Sequence, residues 1–572
     1  MALNLYFSKN VFQRLRVMKT SFKGCLYGVR THECLLVLGF TVSQTLDDGT
    51  FAKVDDGFNV IRDNLPAGVD FLGYVTVTSD ELPTAGKTKE GNTDSIVLIC
   101  NIQEEFKVTV VRMGKGGFKE IPYETLEHTE VLEKLYLVRI QYRTNVLVEA
   151  TAQAVKDCFA RLTADFASGK LCFHVKEAEV FIGRDKKGRK STFADILSHE
   201  SQGGKGKGKK ELSDFRTVNV RTLMAKTEEM SISVKKSSFR IAFSDTEKLS
   251  IPVMLEGVAL AAPGQATSSL YELFVESLLR NLALVEDAIV RGLDQKLDFL
   301  SLRPYNARML NFPHTFLCVW PQKVDEGNAL LKDRRRIFHK VLGLPVTRPF
   351  FRRSNAVPQA DGGVLLNTHV GLKAAQPGWQ QHLVQGSYGY YHYMQQNYND
   401  SGWGCAYRSL QTIFSWFKYQ GYTEQPIPSH YDIQEALVSV GDKPRAFLGS
   451  SQWIGSTEVS LCLEKFLNIS SRIMYVQSGK DLADKGAELA MHFESQGSPI
   501  MIGGGVLAHT IIGVDNNRET GETKFLILDP HYTGAEDLQV IQQKGFCNWK
   551  TGNFWDKKTF YNLCMPIRPI EF

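Results

Sequence analysis

The period of the apolar positions changes several times along this chain, and each change predicts an element. Residues 33–42 (ECLLVLGFTV), 71–78 (FLGYVTVT) and 95–100 (SIVLIC) are short β-branched runs bounded by turn residues, which predicts strands. Residues 147–167 (VLVEATAQAVKDCFARLTADF) move to helical spacing, so the first part reads as an α/β module in which strands precede a helix. Residues 268–298 are strongly amphipathic: Leu270, Leu273, Phe274, Leu278 and Leu279 recur at helical intervals, and such a face is ordinarily core. Further on, Leu410, Ile413, Phe414 and Phe417 fall at i, i+3, i+4 and i+7, which predicts a helix that opens near Cys405 and buries that face. Residues 498–514 (SPIMIGGGVLAHTIIGV) read as one or two strands, 515–522 (DNNRETGE) as a polar turn and 524–528 (KFLIL) as the return strand of an antiparallel hairpin.

Composition breaks divide these elements. Around 184–210 the chain turns to RDKKGRK and then SQGGKGKGKK, which cannot bury a core and reads as an exposed tether. Residues 343–386 are rich in Pro, Gly and Arg and mark a boundary. The expected organisation is an N-terminal region over 1–300, a connecting segment over 301–374 and a C-terminal domain over 375–572.

With 43% hydrophobic and 23% charged residues the composition is that of a globular protein. A net charge of +5 on 572 residues gives no reason to expect nucleic acid as a partner. The ten cysteines are scattered without a CxxC pair, as suits reduced thiols in the cytosol. No apolar window is long enough for a membrane span and the N-terminus lacks a secretory h-region, so any membrane association is expected to come through a partner. Two near misses to a phosphate loop are expected to bind no nucleotide. The stretch 203–210 (GGKGKGKK) has Lys210 where Ser or Thr would hold magnesium, and Gly86-Lys87-Thr88 has Glu81 at the first glycine position.

One cysteine has a setting the others lack. In 400–412 (DSGWGCAYRSLQT), Cys405 follows Gly402 and Gly404 and stands at the start of a predicted helix. The free N–H groups and positive end of the dipole at that point favour a thiolate. The glycines let a substrate backbone come close, and Trp403 supplies a flat apolar wall, an arrangement that resembles papain-type enzymes. The plainer reading is a buried, small, hydrophobic Cys405, so a base is required. The predicted hairpin supplies two: His509 near the start of one strand lies beside the segment Asp529-Pro530-His531 after the other. Papain-like chain order selects His509 as base with Asp529 orienting it. Asp529 and His531, two apart in an extended chain, point to the same side, and Pro530 stiffens them. Residue spacing leaves both arrangements open.

The segments 390–417 (YYHYMQQNYNDSGWGCAYRSLQTIFSWF), 503–514 (GGGVLAHTIIGV) and 528–534 (LDPHYTG), in this order, resemble the ubiquitin-fold-modifier-specific cysteine proteases, and the long N-terminal part is similar to that of their larger, second type. The resemblance implies an α+β protein, with a papain-like cysteine protease domain at the C-terminus preceded by an α/β, MPN-like, non-catalytic region. It implies cleavage after the C-terminal glycine of the modifier, both maturing its precursor and releasing it from lysines of target proteins. Carried over by position, the nucleophile is Cys405, the orienting acid and base are Asp529 and His531, and the oxyanion-hole tyrosine is Tyr393. His509 then takes a supporting place with Trp403 and Gly404 in substrate binding, while Tyr390 and Tyr391 are expected to pack. No cofactor is expected. No metal is expected either, since no His/Cys cluster has ligand spacing and the chain lacks the His-x-His of an MPN metalloprotease. The implied partners are the modifier, as precursor and as conjugates, and a membrane-anchored recruiter, with a cytoplasmic location at the cytosolic face of the endoplasmic reticulum. A scaffold that binds the modifier without cutting it, and a thiol protease for another ubiquitin-like protein, are the alternatives. A scaffold has no need of Cys405, Asp529, His531 and Tyr393 together.

Overall fold

The computed structural model describes residues 3–569 except 19, 44–54, 79–94, 102–105, 115–116, 185–190, 199–215, 225–247, 295–301, 310–311, 357–363, 373–377 and 518. Both phosphate-loop near misses and the Gly/Lys run lie outside the described residues. The chain forms two compact units, Met1–Pro345 and Val346–Phe572.

In the first unit the three predicted strands appear as Cys34–Phe40, Val69–Thr78 and Ile96–Asn101, all in one eight-stranded sheet of mixed direction. A second, five-stranded sheet includes Tyr136–Glu149 and Lys248–Ala261. The helix expected from residue 147 begins later, at Ala152. Leu147 to Glu149 finish the strand, and Thr151 accepts a hydrogen bond from the Ala154 N–H at 3.2 Å and so caps the helix. The amphipathic stretch is the helix Thr267–Asp294, with Leu270, Leu273, Phe274 and Leu278 buried against the strand Lys248–Ala261. A hairpin of Leu302–Arg308 and Thr315–Pro321, followed by the helix Ala329–Leu342, also belongs to this unit. Much of the stretch expected to connect two domains is therefore regular structure.

In the second unit the elements are β1 (Trp379–Leu383), α1 (Cys405–Tyr419), α2 (His430–Ser439), α3 (Ser456–Leu467), β2 (Ser471–Val476), α4 (Gly486–Ser495), β3 (Ile500–Gly504), β4 (Leu507–Asn517), β5 (Thr523–Leu528), β6 (Cys547–Thr551) and β7 (Tyr561–Pro566). The sheet order is β2-β7-β3-β4-β5-β6, with β1 added beside the second half of β4, and every pairing is antiparallel. The helix α1 packs on β3, β4 and α3. Its sequence predicts one buried face, yet every residue from Cys405 to Phe417 is buried. Most of the polar positions are admitted because they are bonded, as at Ser415, whose Oγ donates to Thr412 O at 2.6 Å and accepts the Gly389 N–H at 2.8 Å, whereas the Ser409 hydroxyl is buried without a hydrogen-bond partner. Each fully buried Leu, Ile or Phe on this helix contributes about 1.5–3 kcal/mol, which fixes the helix in the core and its first residue with it.

The predicted hairpin is β4–β5. Thr510 pairs with Leu528 and a one-residue bulge sits between Ile511 and Gly513, so His509, one position before the pair, faces Asp529, one position after it.

Candidate active site

Cys405 is the first residue of α1, and the preceding loop is built around a buried acid. Asp400 is fully buried and accepts from Arg408 Nε at 2.5 Å, from His430 Nε2 at 3.0 Å and from the Met394 N–H at 2.9 Å. Burial raises its carboxyl, but the bonds from His430 and Arg408 outweigh this and hold it below its ordinary value. Gly402 has φ +85°, a conformation that favours glycine. A Cβ on Gly404 would lie 2.6 Å from the Asp400 Cβ and Oδ2, so only glycine lets the chain pass the acid on its way into the helix. Trp403 packs edge-on against His430 and Tyr407 and also lines the groove beside Cys405, so it belongs to the core packing as well as to the groove wall.

The thiol of Cys405 lies below its ordinary value. Burial pushes it up, while the His531 imidazole, the backbone at Ala508 and the Tyr393 hydroxyl more than offset this. Five other cysteines go the opposite way: burial pushes Cys100 up to about 11, Cys318, Cys547 and Cys564 up to about 12, and Cys462 higher still.

The two candidate histidines separate by environment. His531 Nδ1 is 2.6 Å from Asp529 Oδ1, and the same oxygen accepts the His531 N–H at 3.0 Å. His509 Nε2 is 3.9 Å from that oxygen, beyond a hydrogen bond. Burial lowers both rings. At His531 the hydrogen bond to Asp529 and the interaction with Cys405 overcome it and raise the ring to about 9, whereas His509, with its weaker contact, falls to about 4. Asp529 is itself held below its ordinary value, burial being outweighed by His531 and His509. His531 Nε2 is buried with no hydrogen bond of full strength, although it faces Cys405 closely enough to perturb it. Such contacts tighten when substrate is in place. His509 packs beside the His531 ring, 5.2 Å between centroids, and against Phe554, as a neutral wall.

Tyr393 stands edge-on to His531 at 5.3 Å, and burial followed by the proximity of Cys405 raises its hydroxyl, so it is a proton donor facing the thiol. Its segment is laced to the one carrying the base. Tyr390 donates its hydroxyl hydrogen to Asp529 O at 2.5 Å, and the Tyr393 N–H donates to Pro530 O at 2.9 Å. Tyr390 is therefore more than packing. Glu536 joins this lacing 144 positions from its partner His392, a separation that no local sequence signal bridges.

The groove at Cys405 holds about 240 Å3 and is walled by Trp403, Trp453, Leu507 and Asn562, with Gly503 and Gly504 on its floor. Three donor atoms of His509, Asp529 and His531 lie within 4.8 Å of one another, a metal-like cluster that ligand spacing along the chain does not reveal. Its donor chemistry argues for protons rather than a cation, because His531 Nδ1 and Asp529 Oδ1 already share a hydrogen. Cys405, Tyr393, Asp529, His531, His509 and Trp403 thus converge on one end of the sheet, and Gly404 supports the first of them.

Comparison with known proteins agrees over the whole length. Peptidase family C78 matches residues 379–564, the insect UFM1-specific protease N-terminal MPN-like domain matches 1–131, and the ubiquitin-fold modifier 1 specific protease 2 N-terminal family matches 156–361. The probable Ufm1-specific protease 2 of Drosophila melanogaster is 37% identical across 99% of both chains. The Ufm1-specific protease 2 of Homo sapiens is 46% identical over 56% of this chain and 68% of its own. The crystal structure of UfSP from C. elegans superposes over 100% of both chains with a TM-score of 0.71 at 26% identity. With its cysteine at the head of a core helix, its Asp-Pro-His segment beside it and both N-terminal families ahead of them, the chain belongs to the Ufm1-specific protease 2 family, cysteine peptidases of family C78.

Proposed function

We propose that the chain cleaves after the C-terminal glycine of the ubiquitin-fold modifier, in its precursor and in its conjugates to lysine, with Cys405 as nucleophile, His531 as acid and base, Asp529 as its orienter and Tyr393 as oxyanion donor. The observation that carries the reading is the paired shift at Cys405 and His531, thiol down and imidazole up, which is what a thiolate–imidazolium pair requires. Cys405 Sγ attacks the glycine carbonyl carbon, and the oxyanion takes hydrogen bonds from the Tyr393 hydroxyl and the Cys405 N–H. Loss of one such donor typically raises the barrier by roughly 3–4 kcal/mol. The C–N bond breaks as His531 gives its Nε2 proton to the departing amine. Water, deprotonated by His531, then releases the glycine carboxylate and restores the thiol. A groove floored by Gly503 and Gly504 beside Trp403 suits a narrow glycine-ended tail.

The MPN-like region guides the choice of substrate and partner in this reading. A membrane-anchored recruiter brings the enzyme to the cytosolic face of the endoplasmic reticulum, a placement that rests on family resemblance. Among the described residues no helix is long and apolar enough to cross a membrane.

The test is incubation of the purified chain, and of Cys405→Ser, with a modifier probe carrying a C-terminal thiol-reactive warhead, followed by intact mass. One adduct on the wild type alone is expected. No adduct on either, with modifier still bound, would support the non-cleaving scaffold, and processing of another ubiquitin-like precursor in place of this one would move the specificity.

A further inference from the structure

A second histidine–carboxylate pair lies behind the catalytic one. His392 is 1% exposed, and its ring nitrogens face only acceptors. Nδ1 is 2.9 Å from Tyr393 O and 3.1 Å from Tyr532 O, and Nε2 is 2.9 Å from Glu536 Oε1. The Glu536 carboxyl, raised by burial, is held below its ordinary value by its bonds from His392 and Gln395, so it accepts as an ion. A neutral imidazole carries one N–H and one lone pair and would aim that lone pair at an acceptor on one side or the other. All three contacts are met only when both nitrogens carry hydrogen. The remaining neighbours fit a cation: the rings of Tyr390 and Tyr532 lie 5.0 Å away, and their hydroxyls donate elsewhere, to Asp529 O and Ala535 O. Gln395 completes the cluster, its Oε1 accepting the backbone N–H of His392 at 3.1 Å and its amide donating to Glu536 at 2.6 Å.

The two carbonyls that His392 holds belong to the oxyanion tyrosine and to the residue after the base. The chain beyond Tyr393 needs holding, because Met394, Gln396 and Asn397 have φ of 64°, 54° and 57°. Each non-glycine residue in that region is disfavoured by about 1 kcal/mol or more. Asp400, accepting the Met394 N–H, restrains this turn from one side, and His392 restrains it from the other.

We propose that His392, as an imidazolium paired with Glu536, is a positioning residue for the proteolytic reaction: it clamps the carbonyls of Tyr393 and Tyr532 and so sets the spacing between the oxyanion donor and the catalytic imidazole. The proposal rests on the assignment of Tyr393 and His531 made above.

The first measurement is nitrogen NMR of the full-length chain labelled at histidine, with His392→Gln identifying the resonance and Glu536→Gln retaining the ring should that variant fold poorly. Both ring nitrogens of His392 are expected to be protonated in the folded protein, and a bare nitrogen on this ring would overturn the proposal without reference to any substrate. The second is steady-state cleavage of a modifier fusion. Glu536→Gln and His392→Gln are expected to lower kcat on the order of 10- to 100-fold, as a displaced catalytic group does, with KM nearly unchanged. In a Tyr393→Phe background the same substitutions are expected to cost clearly less than in the wild type, since the hydroxyl whose distance from the imidazole they alter is already gone and only the hold on Tyr532 is left to lose. An equal loss in both backgrounds, or a loss confined to KM, would refute the positioning role. Failure of the wild type to cleave the fusion would instead refute the functional reading, and the NMR result would still decide the charge on the ring.

Discussion

Replacement of Asp529 by Asn tests the thiolate–imidazolium reading most directly. In the wild type, Asp529 Oδ1 takes the Nδ1–H of His531 at 2.6 Å and its backbone N–H at 3.0 Å, and the ring is raised from 6.5 to about 9 against the effect of burial. That shift corresponds to ~3 kcal/mol of preference for the charged ring, reduced to ~2 kcal/mol by water at a side chain 21% exposed. An asparagine in the same place can still accept the hydrogen but brings no charge, so the ring is expected to fall to 6.5 or below. At pH about 7.5 a group titrating near 9 is roughly 97% protonated and one near 6.5 roughly 10%, which removes about a factor of ten in ion-pair population before any loss of orientation. Losing the orienting acid of a triad reduces kcat by up to about 10,000-fold, so a total loss of about 100- to 10,000-fold is expected. The diagnostic readout is the alkaline limb of kcat/KM, measured by single-turnover cleavage of a modifier fusion from about pH 5.5 to about pH 10. It should lie near 9 in the wild type and at 6.5 or below in the variant. A limb that stays near 9 without the carboxylate would refute the assignment of Asp529.

His531→Ala is expected to lower single-turnover rates by about 1,000-fold or more and His509→Ala by less than about tenfold; the reverse ranking would give the base role to His509. Asp400→Ala leaves the Arg408 guanidinium, 1% exposed, without its counter-charge, and a buried pair broken this way loses about 3–5 kcal/mol. A urea midpoint equal to the wild type's would show that the network around Asp400 does not stabilise this unit. Because the Asp400 carboxyl is held low, its contribution is present in full above the ordinary value of 3.8 and is lost as pH falls below it, so the two midpoints should converge in strong acid. Gly404→Ala places a methyl 2.6 Å from Asp400 and should destabilise by about 1–3 kcal/mol while slowing alkylation of Cys405; unchanged stability would mean the loop has room to move. A chain beginning at Val346 should still process small modifier substrates, and a folded but inert fragment would make the first unit part of the catalytic apparatus.

The chemistry was largely legible in the sequence because its parts are local or short-range. Cys405 is marked by flanking glycines and the start of a helical period, and Asp529 and His531 by a two-residue spacing that Pro530 stiffens. The β4–β5 register then follows from the turn between two apolar runs. What stayed hidden depends on partners far apart in the chain. The hairpin alone leaves His509 and His531 undetermined; the resemblance selects His531, and the 2.6 Å against 3.9 Å to one carboxylate oxygen, which no spacing foretells, favours the same residue. Glu536 meets His392 and Gln395 across 144 and 141 positions. The all-round burial of α1 was hidden because Thr412 and Ser415 read as polar positions until the Tyr391 and Gly389 N–H groups that bond to them are found. Near residue 147 the helical period overran a strand, since β-branched residues and a threonine cap at Thr151 compete for the same stretch.

The four cysteines of the second unit have a consequence for how this protein can be observed. All are free, and Cys462, Cys547 and Cys564 are wholly enclosed while Cys405 opens on a groove. A small electrophile therefore meets two kinetic classes in this unit. If Cys405 is the nucleophile proposed above, it should react from the native state at a rate set by its ionisation, and the other three should react only when the sheet comes apart. Peptide-resolved mass spectrometry after timed labelling in graded denaturant separates the two in one sample: modification at Cys405 reports the integrity of the proposed nucleophile, and modification at Cys462, Cys547 and Cys564 reports the opening of the fold that carries it. Loss of activity in any variant can then be assigned to the site or to the scaffold without a substrate.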